Sequence, residues 1–216
     1  MKYQGIIFDL DGVICHTDDY HYQAWKMLAD KLGIYFDETI NNRLRGISRM
    51  ESLDIVLEKY HKTLTWEEKV KYAEEKNTFY KNLLRKMSTA DLILEVNETF
   101  DHLKGKGLKL AIGSSSKNAG FILERIGLAK YFDAVSDGNN ISNSKPDAEV
   151  FLKAVQFMKL EPKDCLVVED SVAGLQAAVN GNMDCAAMGD AVKSELATYQ
   201  LQYFKDLLTA VEDGFQ

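Results

Sequence analysis

Short apolar runs alternate with helical stretches along most of this chain, and the alternation constrains the fold more than any other feature. Short runs bounded by Gly, Ser or Asp are typical of the buried strands of a parallel sheet. Such runs occupy 5–10, 108–112, 132–135, 165–168 and 183–187, and a weaker final strand lies at 197–200. The helical stretches between them cover 93–104, 118–126, 148–158, 172–179 and 204–211. The alternation predicts an α/β fold with a doubly wound parallel sheet.

The stretch 16–89 differs from the rest because it contains no convincing strand pattern. Its apolar residues follow helical spacing instead, in the stripes Tyr20, Ala24, Met27, Leu28, Leu32 and Leu53, Val56, Leu57. We expect an all-helical cap over 16–89, inserted into a core formed by 1–15 and 90–216. Both ends of the insertion lie near the carboxyl end of the first strand, where open α/β sheets bind ligands. The cap is therefore expected to cover that edge, either as a mobile lid or as a rigid addition.

The charge and cysteine content exclude several classes of protein. The 26 Lys and Arg residues are outnumbered by 33 Asp and Glu residues, and a net charge of −7 is not typical of a nucleic-acid-binding protein. The three cysteines are far apart and form no CxxC pair, so neither a disulfide framework nor a zinc site is expected. No signal peptide fits the N-terminus, and no apolar run reaches the roughly 18 residues of a membrane span. We therefore expect a cytoplasmic protein without a membrane or nucleic-acid partner.

Two carboxylates follow the first apolar run, in the order Phe8-Asp9-Leu10-Asp11-Gly12. Because residues i and i+2 of a strand point the same way, Asp9 and Asp11 are expected to share one face. Two like charges at the end of a buried strand are costly unless a cation or a proton offsets them. Carboxylate oxygens are ligands that Mg²⁺ prefers. The pair indicates a magnesium site, although a turn at Asp11-Gly12 and a helix cap at Asp9 would need no metal.

Three later segments carry complementary polar groups. Hydroxyls, amides and a Lys fill 114–118 after the second strand, Lys145 precedes a helical stretch, and Glu169 and Asp170 end another strand. Taken singly, these features also fit a Ser-rich loop with an N-cap, a solvated Lys and a turn. The carboxyl ends of parallel strands share one edge, so the acids, hydroxyl and Lys are expected together. There an ionised Asp can attack phosphorus, while the other groups bind and neutralise the phosphate.

This joint pattern resembles the haloacid dehalogenase superfamily of phosphotransferases over essentially the whole chain. The resemblance implies a Rossmann-like core with a helical cap inserted after the first strand. It implies that Asp9 is the nucleophile and Asp11 the general acid/base, and that Ser114 and Lys145 bind the transferring phosphoryl group. The metal site that it implies for Mg²⁺ consists of Asp9, Asp11 through its backbone carbonyl, Glu169 directly or through water, and Asp170. Glu169 would also orient Lys145.

Two cap segments, 17–25 and 45–53, together with 76–77 and 116–118, resemble the corresponding segments of the β-phosphoglucomutases within the superfamily. By this resemblance His21 would hydrogen-bond Asp11 when the cap closes, and Trp25 and Lys76 would face the sugar. Arg49, together with 116–118, would hold a second, non-transferring phosphate. The implied substrate-binding residues are Thr17, His21, Trp25, Gly46, Arg49, Lys76, Ser116, Lys117 and Asn118. A helix face packed on the core would also explain His21 and Trp25, and a solvated charge would explain Arg49.

The resemblance implies a monomeric, Mg²⁺-dependent enzyme that interconverts β-D-glucose 1-phosphate and glucose 6-phosphate. The implied route passes through an aspartyl-phosphate and through glucose 1,6-bisphosphate, which is both primer and intermediate. A phosphatase of sugar phosphates or other small phosphomonoesters on the same core is the alternative, and a non-catalytic metabolite-binding module is a third reading. The chain departs from the family at His16, where the family usually has Asp. A His at this entry to the cap is expected to change its charge near neutral pH.

Overall fold

A computed structural model describes residues 2–93 and 95–212 of the chain, and a single six-stranded parallel sheet lies at its centre. The strands are β1 (Gly5–Phe8), β2 (Lys109–Gly113), β3 (Ala134–Ser136), β4 (Cys165–Glu169), β5 (Asp184–Ala187) and β6 (Tyr199–Gln200). They lie side by side in the order β3-β2-β1-β4-β5-β6. The doubly wound parallel sheet predicted from the alternation of the sequence is therefore confirmed, including the weak final strand.

Helices connect the strands and cover both faces of the sheet. They are α1 (Asp18–Leu32), α2 (Glu38–Asn42), α3 (Arg49–Val56), α4 (Trp66–Leu84), α5 (Val96–Gly105), α6 (Ala119–Arg125), α7 (Glu149–Met158), α8 (Val172–Asn180) and α9 (Asp206–Glu212). Successive strand residues face opposite sides, so Phe8 packs with Phe100 and Leu207 on one face and Ile7 packs with Phe151 on the other. Both faces are buried, which explains why β1 is apolar throughout and β4 is apolar up to Glu169 at its end.

The segment 16–89 between β1 and β2 is helical and has a small core of its own. Its buried apolar residues are Trp25, Leu28, Ala29, Ile34, Phe36, Leu44, Leu53, Val56 and Ala73. Reciprocal side-chain caps start two of its helices, Ser48 with Glu51 at α3 and Thr65 with Glu68 at α4. The chain enters and leaves the segment through adjacent stretches, where Cys15 forms an isolated bridge with Leu92.

The register of the sheet brings three strand ends to the same level. Phe8 in β1 pairs with Ile112 in β2 and with Val168 in β4, so Asp9 lies between the ends of these two neighbours. β1 ends at Phe8, so Asp9 and Asp11 lie just beyond the strand. The Asp9 N–H still donates to the carbonyl of Val168 at 3.0 Å, and Asp11 forms an isolated bridge with Cys15. None of the helices among the described residues combines the length and apolarity needed to cross a membrane.

Candidate active site

Lys145 is a fully buried charge at the carboxyl edge of the sheet. Its ammonium donates to Asp9 Oδ1 and to Glu169 Oε1, with both N–O distances at 2.5 Å, and its side chain is fully buried. Burial alone would lower the pKa of Lys145, but the two carboxylates raise that pKa above its ordinary value. Lys145 lies well beyond the end of β3 at Ser136, so the prediction that it belongs to a strand end is wrong. The loop before α7 carries it to the acids instead.

Asp9 lies at the centre of this edge with more negative than positive charge around it. Burial raises the pKa of Asp9 to about 7, and although Lys145 opposes the rise, Glu169 and Asp11 add to it. Burial likewise raises the pKa of Asp170 well above its ordinary value, with further contributions from Glu169 and Asp9. One ammonium therefore does not offset this group of buried carboxylates, and an additional cation would stabilise their ionised forms.

The residues at this edge fit a divalent metal bound by few side chains. A Cβ atom added at Gly12 would lie 2.1 Å from Asp170 Oδ2, so the absence of a side chain lets that carboxylate approach the backbone next to Asp11. Glu169 is engaged elsewhere, since its Oε2 accepts from the backbone N–H and hydroxyl of Ser171 at 2.9 Å each. In the described part of the chain, no three His, Cys, Asp or Glu side chains form a group that could hold a metal. Asp9 and Asp170 would therefore need a backbone carbonyl and water as further ligands.

Ser114 supplies a hydroxyl at the end of β2. It is 1% exposed, and its backbone N–H donates to the carbonyl of Ser136 at 3.0 Å, which ties the loop to β3. Its Oγ accepts from the backbone N–H of Ser116 at 3.1 Å. Because this bond uses the oxygen as acceptor, the hydroxyl proton is free to donate to an anionic oxygen of a ligand.

Asp11 is paired with Thr17, not with His21. The Thr17 hydroxyl donates to Asp11 Oδ1. Burial raises the pKa of Asp11, and the Thr17 hydrogen bond partly offsets the rise. Among the described residues no hydrogen bond joins His21 to Asp11; instead, His21 Nδ1 lies 3.2 Å from the ammonium of Lys76. His21 lies on α1 and Lys76 on α4, and the two side chains contact each other where these helices face.

A buried cation–aromatic cluster lies beside this pair. The Lys76 ammonium is 4.6 Å from the ring centroid of Trp25 and 4.4 Å from that of Tyr80. Burial lowers the pKa of Lys76 to about 7, and the positive charge of Arg49 lowers it further. Burial and the Lys76 charge hold the pKa of His21 well below its usual range, so its imidazole is neutral at pH 7.

The hydroxyl of Tyr80 is a further polar group near Lys76 that the sequence did not predict. This hydroxyl is buried and has no hydrogen-bond partner among the described residues, and Tyr80 lines a cavity that Asp9 and Lys76 also line. A buried hydroxyl without a partner is costly, so this group is available to a ligand oxygen. The signal that could have found it is its place four residues after Lys76, which puts both side chains on one face of α4.

Side-chain hydrogen bonds from the loops of the sheet join these loops to the helical segment. The Ser115 hydroxyl donates to the carbonyl of Gly46 at 3.0 Å, and the Asn118 amide donates to Asn77 Oδ1 at 2.9 Å. The Ser144 hydroxyl donates to Glu51. Gly46 has a φ of +76°, and a Cβ there would lie 2.6 Å from the hydroxyl of Ser171. Gly46 thus serves the close approach of these two parts of the chain.

Two arginines of the helical segment reach the site, and only one of them was predicted. Arg49 Nη1 is 2.8 Å from Glu74 Oε1 on α4, a partner that the sequence did not reveal. Arg45 Nη2 is 3.0 Å from Asp18, and its Nη1 is 3.2 Å from Asp170. No local sequence pattern indicates the partners of Arg45 and Arg49, because these partners lie far away in the sequence or on other helices.

One cavity of about 980 Å³ brings most of the predicted site residues together. Those that line it are Asp9, Asp11, His21, Trp25, Gly46, Arg49, Lys76, Ser114, Ser116, Lys117, Asn118 and Asp170. Thr17, Lys145 and Glu169 do not line it but are fully buried behind its floor. There Thr17 contacts Asp11, Lys145 contacts Asp9, and Glu169 contacts Lys145. His16 is exposed, and its backbone N–H donates to the carbonyl of Asp91 at 3.1 Å.

Comparisons with known proteins agree with this architecture. The chain is 37% identical over 192 residues to β-phosphoglucomutase of Bacillus subtilis, and the alignment covers 86% of this chain and 83% of that protein. It is 29% identical over 184 residues to a phosphorylated carbohydrates phosphatase of Thermotoga maritima, covering 84% and 82%. The solved structure of β-phosphoglucomutase from Clostridium difficile superposes with a TM-score of 0.93 at 35% identity, over 98% of this chain and 96% of that one.

The superfamily resemblance inferred from the strand-end motifs is confirmed by these matches. The model of the family described as haloacid dehalogenase-like hydrolase matches residues 6–188, a range that begins in β1 and extends beyond Glu169 and Asp170 at the end of β4. This chain therefore belongs to the haloacid dehalogenase-like hydrolase family.

Proposed function

We propose that this protein is an Mg²⁺-dependent β-phosphoglucomutase that interconverts β-D-glucose 1-phosphate and glucose 6-phosphate. The observation that carries the proposal is that Asp9 and Ser114 of the core line the same cavity as Arg49 and Lys76 of the helical segment. An enzyme that moves a phosphoryl group between two carbons needs an inner site for the chemistry and an outer site for the other phosphate. The similarity to the Bacillus subtilis β-phosphoglucomutase supports the same assignment.

At the inner site, Asp9 acts as the nucleophile. Its carboxylate oxygen attacks phosphorus, the bond between phosphorus and the sugar oxygen breaks, and an aspartyl-phosphate forms. Asp11 gives its proton to the departing sugar oxygen, a transfer worth about 10²–10⁴-fold in rate. Burial raises the pKa of Asp11, which favours the protonated form that an acid needs. Ser114 and Lys145 donate to the phosphoryl oxygens.

The full cycle uses Asp9 and Asp11 twice. Phosphorylated Asp9 transfers its phosphoryl group to the C6 hydroxyl of β-glucose 1-phosphate, and Asp11 accepts the hydroxyl proton. The resulting glucose 1,6-bisphosphate turns around, and its C1 phosphoryl group passes to Asp9 while Asp11 returns the proton to the C1 oxygen. Glucose 6-phosphate then leaves. Glucose 1,6-bisphosphate is also the primer, because it phosphorylates Asp9 at the start.

Mg²⁺, when bound, would offset the negative charge that the phosphoryl group shares with the carboxylates. Asp9, Asp170 and the backbone carbonyl of Asp11 are the groups proposed to hold it. The contacts of Glu169 with Lys145 and Ser171 support a role in orienting Lys145, with any contact to the metal made through water.

Residues 16–89 are proposed to act as a lid in a monomeric, cytoplasmic enzyme. The contacts Ser115–Gly46 and Asn118–Asn77 join the lid to the core, and they would have to break for substrate to enter. Closure keeps water from the aspartyl-phosphate, which water would otherwise hydrolyse. The balance between transfer and hydrolysis thus depends on these contacts.

A phosphatase of sugar phosphates is the second candidate, and one observation favours it. The 29% identical relative from Thermotoga maritima is a phosphorylated carbohydrates phosphatase. The same Asp9, Asp11, Ser114 and Lys145 would form and then hydrolyse the aspartyl-phosphate if water entered the cavity. What separates the candidates is whether a second phosphate is held while the first is transferred.

The decisive experiment follows the products formed from β-glucose 1-phosphate with Mg²⁺. A coupled assay measures glucose 6-phosphate, and a second assay measures inorganic phosphate, with and without a catalytic amount of glucose 1,6-bisphosphate. The mutase is expected to form glucose 6-phosphate only after priming. Release of inorganic phosphate without glucose 6-phosphate would make the protein a phosphatase.

Arg49→Ala is expected to reduce mutase turnover by roughly 10- to 100-fold, because a charged hydrogen bond to the outer phosphate is lost. Hydrolysis of a small phosphate ester without a second phosphate should change far less. Arg43→Ala is the control, since Arg43 pairs with Glu58 on the surface of the same helical segment at 2.5 Å. Equal losses in the two assays would show that Arg49 binds no second phosphate.

Binding of the sugar phosphate is expected to weaken as the pH rises from about 6 to 8. Lys76 has its pKa lowered by burial to about 7, so its ammonium loses charge over this interval. The KM for β-glucose 1-phosphate should therefore increase with pH in the native protein. Lys76→Arg should lack the increase because a guanidinium stays charged. If both proteins give the same KM profile, Lys76 does not titrate at the sugar.

A further inference from the structure

Arg49 already has a carboxylate partner inside the cavity. Its Nη1 lies 2.8 Å from Glu74 Oε1, and both residues line the cavity. The Arg49 side chain is only 19% exposed, whereas that of Glu74 is 64% exposed. The guanidinium is thus the buried member of the pair, and the carboxylate reaches it from the mouth.

We infer that Glu74 is a positioning residue that exchanges with the outer phosphate for the guanidinium of Arg49, an inference that rests on the proposed function. Arg presents its N–H donors in a fixed planar fork, so a phosphate and a carboxylate compete for the same edge. When the phosphate leaves, Glu74 takes its place. Arg49 is then never left as a partly buried charge without a partner.

This exchange suits a bisphosphate that has to turn around between two transfers. An outer site that holds phosphate too firmly would slow the release that turning requires. A competing carboxylate lowers the free-energy difference between the held and released states. Glu74 therefore weakens binding of the intermediate and speeds turnover at the same time.

The chain offers a matched control in the residue next to Glu74. Glu75 lies on the same helix and pairs with Lys31 at 2.6 Å, outside the cavity. The substitutions Glu74→Gln and Glu75→Gln remove one charge each from adjacent positions of α4. Only the first removes the competitor of Arg49, so general charge or stability effects would appear in both.

The test measures binding of glucose 1,6-bisphosphate by calorimetry with Mg²⁺, in full-length protein carrying Asp9→Asn to prevent transfer. Glu74→Gln is expected to bind roughly 2- to 5-fold more tightly, the range for an exposed ion pair, and Glu75→Gln to bind unchanged. Arg49→Ala should bind at least tenfold more weakly, and adding Glu74→Gln to it should change nothing further.

Each result has a distinct meaning. Weaker or unchanged binding by Glu74→Gln, with a clear loss in Arg49→Ala, would overturn the exchange and leave the proposed function standing. Unchanged binding by Arg49→Ala would show that Arg49 holds no outer phosphate, which would contradict the proposed function. With Asp9 restored, Glu74→Gln should lower both KM and kcat, and Glu74→Asp should return both towards the native values; a fall in kcat alone would contradict the exchange.

Discussion

Asp9→Asn protein is expected to lose phosphoryl transfer by about 10⁴-fold or more, because an amide oxygen cannot form the acyl phosphate on which both half-reactions depend. Asn has nearly the shape of Asp, and its oxygen can still accept from the Lys145 ammonium, which also keeps its bond to Glu169 at 2.5 Å. The sheet should therefore fold as before.

Transfer is measured with primed β-glucose 1-phosphate, and circular dichroism reports the fold. Asp19→Asn is the control, since Asp19 is exposed in the first turn of α1. Mass spectrometry after mixing with glucose 1,6-bisphosphate should find the phosphoryl adduct on Asp9 in the native protein and none in Asp9→Asn. Substantial turnover by Asp9→Asn would show that another group accepts the phosphoryl group.

Lys145→Met is expected to lower the free energy of unfolding by about 3–5 kcal/mol and to abolish transfer. The substitution leaves the buried Asp9 and Glu169 without the ammonium that both now share, at 2.5 Å each. Met has a similar length and no charge, so the loss is mainly electrostatic. Lys205→Met is the control, because Lys205 pairs with Glu95 near the surface at 2.9 Å, and pairs of this kind contribute about 0–1 kcal/mol.

The pH dependence of Lys145→Met separates this cause from a packing defect. Burial already raises the pKa of Asp9 to about 7, and loss of the ammonium removes the charge that opposes this rise. The native state of the variant then binds more protons than the unfolded chain near neutral pH. Its free energy of unfolding should fall as pH rises from about 5 to 8, measured by urea titration. A variant as stable as the native protein, or unstable by a constant amount at every pH, would refute this account.

The outline of the fold was predictable because hydrophobic periodicity is a local signal. The apolar runs at 165–168 and 183–187 differ from β4 and β5 by one residue at one end. The helical character of 16–89 was equally predictable, since its stripes repeat within single helices. The exact end of β1 was not, because the ladder that ends at Phe8 is formed with β2 and β4, far along the chain.

The candidate site was only partly predictable. The acids and the hydroxyl were identified from their residue types at the ends of apolar runs, and Lys145 from its place before a helical stretch. Their partners were not: His21 contacts Lys76 rather than Asp11, and Arg49 contacts Glu74. These pairings depend on how α1, α3 and α4 pack, which no local pattern encodes.

The amino-acid sequence by itself determined the parallel sheet, the helical insertion and the chemical types of the groups near Asp9, because each follows from residue order over a few turns or one strand. Only the tertiary structure decided which charge faces which. Burial and distance set the pKa of Asp9 and Lys76, and both arise when segments remote in sequence pack together. Electrostatic energies depend on separation in space and on exclusion of water, neither of which exists until the chain has folded.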